Sequence, residues 1–210
     1  MSALRIGITG GMGCGKSTVV RHFMALGIPC FISDIVAAGY YYDPDFLGQL
    51  RSLLGPDVIL PDGSADKRAV ADRVFADQRL LDGLNALVHP RVKEDFEAFC
   101  ALYDAAPYVL FESAILYEYG FDLLMDRVIC VYLDLDERLR RLRLRDGVGE
   151  EALMARISCQ MPAEEVLRRA DYVVLNYEGN PRSRQVEYID QQLRNNRSNE
   201  ENNPPAIYRL

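Results

Sequence analysis

Residues 10–17 read Gly-Gly-Met-Gly-Cys-Gly-Lys-Ser, with Thr18 behind them. The spacing fits G-x-x-x-x-G-K-[ST], the phosphate-binding P-loop. Four glycines remove the side chains that would keep backbone N–H groups from curling around phosphate oxygens. A helix starting at Lys16 would point its positive N-terminus at the same anion. Lys16 has the reach for terminal phosphates, and the Ser17 hydroxyl is a hard oxygen donor suited to Mg²⁺. The pattern also needs a strand before it and a helix after it. Residues 4–9 are an apolar-rich strand and residues 16–26 a helix that stops at Gly27. The loop is therefore expected to bind a nucleoside triphosphate through Gly11, Gly13, Cys14, Gly15, Lys16, Ser17 and Thr18.

Three further groups carry chemistry. Asp34 ends a second strand, residues 29–34, and ligands of an open α/β sheet gather beyond the carboxyl ends of its strands. It either faces the transferred phosphate or caps a helix over 35–38. Glu112 ends a third strand, residues 108–113, where a second acid would stand near magnesium through water; a helix cap or a local ion pair is the alternative. Arg138, Arg140, Arg141, Arg143 and Arg145 crowd one helix of an acidic chain. At about 100° per residue, Arg138, Arg141 and Arg145 share one face, while Leu135, Leu139 and Leu142 share another. Guanidinium forks grip phosphate oxygens bidentately, so this helix is either a phosphate lid or a solvated charged face. Cys14, inside the loop, is either a redox-sensitive thiol near a helix N-terminus or a small residue that fits.

The elements that must position these groups follow in order. Val19, Val20, Phe23 and Leu26 of the first helix point to a core. From 43 to 106 helices dominate, over 45–54, 67–75, 79–88 and 91–103, with a turn at 60–63 and a break at His89-Pro90. Residues 128–133 form a continuous apolar fourth strand, typical of a parallel sheet covered on both faces. A helix over 150–160 would put Arg156 and Gln160 on one face, and Pro162 starts another short helix. Residues 171–176 are a fifth strand, and a last helix ends near 193. The expected organisation is a single domain over 1–210. Residues 1–42, 107–136 and 171–194 form its nucleotide-binding core, 43–106 a helical acceptor-facing region, 137–170 a lid, and 195–210 a flexible tail.

A net charge of −7 and a pI near 4.9 argue against a nucleic-acid binder that tracks phosphates. No leader and no membrane span are expected. Five scattered cysteines without a C-x-x-C pair suit a reduced, cytoplasmic protein without disulfides or zinc, in which the sequon at 196–198 carries no meaning. No N-K-x-D motif supports a GTPase, and the chain is short for a mechanical ATPase. A small-molecule kinase fits better.

The chain resembles the dephospho-coenzyme A kinases in residues 8–18 and in Ser33-Asp34, Asp62-Gly63, Arg68, Val74-Phe75, 84–87 and His89-Pro90. Arg145-Asp146, Gln160 and 170–176 continue the likeness, which covers about residues 4 to 180 in the family's order. The resemblance implies ATP-dependent phosphorylation of the ribose 3′-hydroxyl of dephospho-coenzyme A. It implies an α/β P-loop kinase fold, with a five-stranded parallel sheet flanked by helices, a helical substrate-facing insertion and a helical Arg-rich lid. It makes Asp34 the catalytic base and Lys16 the phosphate-binding lysine. Ser17 becomes the Mg²⁺ ligand, Arg141 and Arg145 lid contacts, and His89 and Arg68 acceptor-side residues. ATP, dephospho-coenzyme A and Mg²⁺ are the implied partners of a monomer or small homo-oligomer, without nucleic acid or membrane. The chain departs from the family at Ile32 and Ala38, where many members carry Asp and Arg. The rival activities are a nucleoside or nucleoside-monophosphate kinase and an ATP-binding regulatory module.

Overall fold

The computed structural model describes residues 2–147 and 149–196 and divides the chain into two compact units, Met1–Phe31 with Cys100–Leu210, and Ile32–Phe99. The tail expected from 195 onward lies outside the described residues after 196. The helical unit thus begins and ends earlier than the expected 43–106, and it takes in Asp34.

The first unit is built on a five-stranded sheet of order β2-β3-β1-β4-β5, with β1 Leu4–Thr9, β2 Cys30–Ile32, β3 Tyr108–Glu112, β4 Arg127–Tyr132 and β5 Tyr172–Leu175. β1 pairs in parallel with β3 on one side and β4 on the other, and β4 with β5. Residues 108–111 of β3 and 128–131 of β4 are continuous apolar runs, as in a sheet covered on both faces, and every residue of β3 is buried. The strand order changes direction at β1, so the crevice where ligands gather lies at the carboxyl end of that strand. α1 (Lys16–Ala25) buries Val19, Val20 and Phe23.

Leu26 does not join them. It is the C-cap residue and is 37% exposed. Gly27 takes a left-handed φ of 79°, its N–H donates to Met24 O, and Ile28 N–H donates to Phe23 O. This turn folds the buried Ile28 under the helix in place of Leu26.

The remaining helices of this unit are α6 (Leu135–Asp146), α7 (Glu150–Ser158), α8 (Ala163–Arg169) and α9 (Arg182–Asn196). Asp134 caps α6 by accepting from Glu137 N–H. Leu139 and Leu142 pack with Leu153 of α7, whereas Leu135, at the first helical position, stays largely exposed and leaves the expected apolar face. α7 ends before Gln160, which therefore sits in a turn and shares no helical face with Arg156.

The second unit holds α2 (Ser33–Tyr40), α3 (Pro44–Leu54), α4 (Lys67–Ala76) and most of α5 (Gln78–Leu102). Asp43 and Asp66 cap α3 and α4. Phe46, Leu50, Val58 and Phe96 are fully buried in its core. Tyr40 donates to Asp95 at 2.6 Å, and Arg91 pairs with Asp43 at 2.7 Å while lying over the rings of Tyr40 and Phe46.

Two expectations are corrected here. The second strand is only three residues long, and Ser33 and Asp34 already belong to α2. His89-Pro90 does not break the helix, since α5 runs through Pro90. Proline removes the N–H that Ala86 O would accept. Ala86 and Pro90 both face solvent, so water can take the orphaned carbonyl, while Val92 and Phe96 bury the far side.

Candidate active site

The loop of residues 10–18 leaves the carboxyl end of β1 and enters α1. Gly15 is the N-cap of α1 with φ 88° and ψ 32°, no side chain caps the helix, and no acid stands in its first turn. The N–H groups that open a helix are then left for an anion. Lys16 Nζ donates to Gly10 O at 2.8 Å, folding the lysine back along the loop. Cys14 N–H closes onto Gly11 O at 3.1 Å. The N–H groups of Gly13 and Gly15 meet no protein acceptor among the described residues.

Side chains from far along the chain hold the outside of this loop. Arg138, on α6, is buried; its Nε donates to Met12 O at 2.8 Å, and a Cβ on Gly11 would overlap its guanidinium. Burial pushes the Arg138 guanidinium below its ordinary pKa. Gln160 accepts from Met12 N–H at 2.8 Å and donates to Ala114 O at 3.1 Å, tying the loop to the segment after β3. Asn176, just past β5, donates through Nδ2 to Cys14 O at 2.6 Å. The Met12 side chain packs on the leucines shared by α6 and α7.

Arg141 donates to Glu137 at 2.9 Å and to Asn176 O at 3.0 Å. The guanidiniums of Arg140 and then Arg141 hold the Glu137 carboxyl down at about 2. Arg145 is exposed in the last turn of α6. Of the expected Arg138–Arg141–Arg145 face, Arg138 holds the loop and Arg141 reaches the residue after β5.

Glu112 is buried at the last position of β3, in register with Ile8, and Ser113 beyond it is buried too. Ser17 is exposed at the second position of α1. No cluster of three or more His, Cys, Asp or Glu occurs among the described residues. That donor set fits Mg²⁺, which keeps several waters and takes one or two protein oxygens beside substrate phosphates. It does not resemble a closed zinc or calcium cage. Cys14 is 1% exposed, and burial raises its thiol pKa against the opposing influence of Lys16. This is the environment of a small packed residue rather than of a reactive thiol.

In the helical unit, Asp34 is exposed in the first turn of α2. Ile32 is the N-cap there, so Asp34 is neither a strand end nor the cap. Ala38, four residues on, is exposed. Arg68 is exposed and reaches Asp72 at 4.0 Å. His89 is half-buried in α5, which lowers its pKa.

Sequence reasoning missed three holders of the loop backbone: Arg138, expected on the lid face, and Gln160 and Asn176, given no role. Asn176 carried one usable signal, a polar residue at the carboxyl end of an apolar strand. Nothing local marks a glutamine in a turn as the acceptor for an amide 148 residues away.

A family model described as dephospho-CoA kinase matches residues 4–181. A dephospho-CoA kinase of Bacteroides fragilis is 37% identical over 179 residues, covering 83% of this chain and 85% of that protein. A solved Thermus thermophilus structure is 32% identical and superposes with a TM-score of 0.82 over 91% of this chain and 98% of its own. The structure of a Campylobacter jejuni dephospho-CoA kinase, at 22% identity, shares the fold with a TM-score of 0.67 over 92% of this chain and 98% of its own.

Proposed function

Because the chain belongs to the dephospho-CoA kinase family, we propose that it transfers the γ-phosphoryl group of ATP to the ribose 3′-hydroxyl of dephospho-coenzyme A. The observation that carries this reading is the pair of Gly13 and Gly15 N–H groups at an uncapped helix start, which have no protein acceptor among the described residues. These donors and the first turn of α1 are matched to phosphate oxygens. Gly11, Cys14, Ser17 and Thr18 complete the loop around the β- and γ-phosphates.

Lys16 gives up its contact with Gly10 O and follows the transferred group, neutralising charge on the terminal phosphates. Arg141, oriented by Glu137, and Arg145, on the same helix, add positive charge as it develops on the γ-phosphoryl group. Asp34 accepts the proton of the acceptor hydroxyl, and Arg68 and His89 serve the acceptor side. Ser17, with Glu112 through water, would hold Mg²⁺, which supplies charge neutralisation to the phosphates when bound. Phosphoryl transfer asks little covalent work of the protein, so positioning and electrostatics carry most of the acceleration. No helix among the described residues is long and apolar enough to cross a membrane. The reaction is assigned to the cytoplasm.

The test is ATP turnover with dephospho-coenzyme A beside a panel of nucleosides and nucleoside monophosphates. Turnover confined to dephospho-coenzyme A is expected, and preference for a nucleotide acceptor would overturn the assignment. Asp34→Asn should cut turnover by about 10²–10⁴-fold, the range of a general base, with ATP affinity nearly unchanged. Lys16→Ala should weaken both. Full activity of the Lys16 variant would remove the loop from the mechanism.

A further inference from the structure

We propose that Asn176 is a positioning residue for phosphoryl transfer: by holding the Cys14 carbonyl it aims the Gly15 N–H into the phosphate cradle. A trans peptide is planar, and its C=O and N–H point in opposite directions. Fixing the Cys14 carbonyl therefore fixes the direction of the Gly15 N–H. The anchor is Asn176 Nδ2, 2.6 Å from Cys14 O, on a residue 1% exposed.

Every hydrogen-bonding group of Asn176 is committed. Its Oδ1 accepts from Arg182 Nε, its backbone O accepts from Arg141 Nη2 at 3.0 Å, and its N–H donates to Tyr132 O at 3.0 Å. The arginine donor on Oδ1 decides which way round the amide lies, so Nδ2 must face Cys14. At 1% exposure, with each amide atom already bonded within the protein, Asn176 acts through the loop rather than on the nucleotide. A Cβ on Gly15 would overlap this amide, so the side chain is seated against the peptide it orients. Arg138 does the same one step earlier. Its hold on Met12 O turns the Gly13 N–H to the opposite side. The Met12 and Cys14 carbonyls are both held by side chains, and the N–H that shares a peptide with each, on Gly13 and on Gly15, has no protein acceptor among the described residues.

The inference rests on the reading that this loop binds ATP phosphates, and the experiment separates the two. Asn176→Asp keeps the shape and the acceptor for Arg182 but replaces the donor facing Cys14 O with a second acceptor. The ATP KM and the inhibition constant of inorganic tripolyphosphate, a probe with no base or ribose, should both worsen by about tenfold or more. The acceptor KM should stay within about twofold, and the melting temperature well above the assay temperature. Arg182→Ala, which frees the amide to turn, should shift the same two constants less and leave the acceptor KM in place. It also covers the case in which the aspartate variant does not fold. Unchanged ATP and tripolyphosphate constants in both variants would overturn the inference while leaving the kinase assignment intact. So would equal losses for ATP and acceptor accompanied by a lower melting temperature, which mark a purely structural role. No ATP turnover and no tripolyphosphate inhibition in the unsubstituted protein would overturn both.

Discussion

Gly15→Ala puts the geometry of the loop under direct strain. Gly15 has φ 88° and ψ 32°, a left-handed conformation that costs a residue with a Cβ about 1–2 kcal/mol. The new methyl would also overlap Asn176 Nδ2, which would have to leave Cys14 O. Losing that buried hydrogen bond adds about 1–2 kcal/mol. The sum, about 2–4 kcal/mol, corresponds to a fall of roughly 4–16 °C in Tm for a chain of this size. Thermal unfolding followed by circular dichroism, paired with the ATP KM, reads both consequences. Gly48→Ala is the control. Gly48 lies inside α3, and a methyl placed on it would meet no atom within 4 Å, so alanine there should stabilise by roughly 0.5–1 kcal/mol. A Gly15 variant whose Tm stays within about 1 °C of the parent, with the ATP KM unchanged, would refute the reasoning, because neither the backbone strain nor the seating of Asn176 would then matter.

The remaining predictions concern titration and reactivity. Burial lowers the pKa of His89, so the folded state prefers the neutral imidazole and the unfolded chain binds the proton first. The stability this provides is fully present above the unfolded value of about 6.5 and is lost as pH falls through the folded value. Tm should therefore drop more between about pH 7.5 and 5.5 in the parent than in His89→Gln. Equal acid-side slopes would show that burial of this imidazole does not govern the titration. Among the cysteines, Cys159 is exposed, while burial raises the thiol pKa of Cys14 and pushes those of Cys30 and Cys130 up to about 12. Iodoacetamide should label Cys159 in the folded protein and spare ATP turnover. Activity lost in step with labelling at Cys14 would contradict the packed-residue account of that thiol.

What can be read from the chain follows the range over which its physics acts. The strands, the Gly27 turn and the phosphate loop are set by residues within one turn or one strand of each other, and spacing displays them. Where the outcome depends on exposure, spacing misleads. Pro90 reads as the end of a helix, yet the carbonyl it orphans lies on a solvent face, and α5 continues. Leu26 and Leu135 have apolar periodicity but stand at helix ends, where the chain turns away from the core. Asp34 reads as the acid that ends the second strand, and not as a first-turn residue of α2, because a three-residue strand leaves no periodicity to count. The arginine helix is the most instructive case. Its charge pattern fits either an anion-binding lid or a solvated charged face. Nothing in the pattern separates an arginine that waits for a ligand from one already spent on the protein. That distinction lies in Met12 O, 126 residues from Arg138, and in Cys14 O, 162 residues from Asn176. Of the loop's own side chains Lys16 holds Gly10 O, while Met12 O and Cys14 O are held by Arg138 and Asn176. The glycines that let the backbone approach phosphate thus require partners brought from distant strands and helices, and those partners are what a motif leaves out.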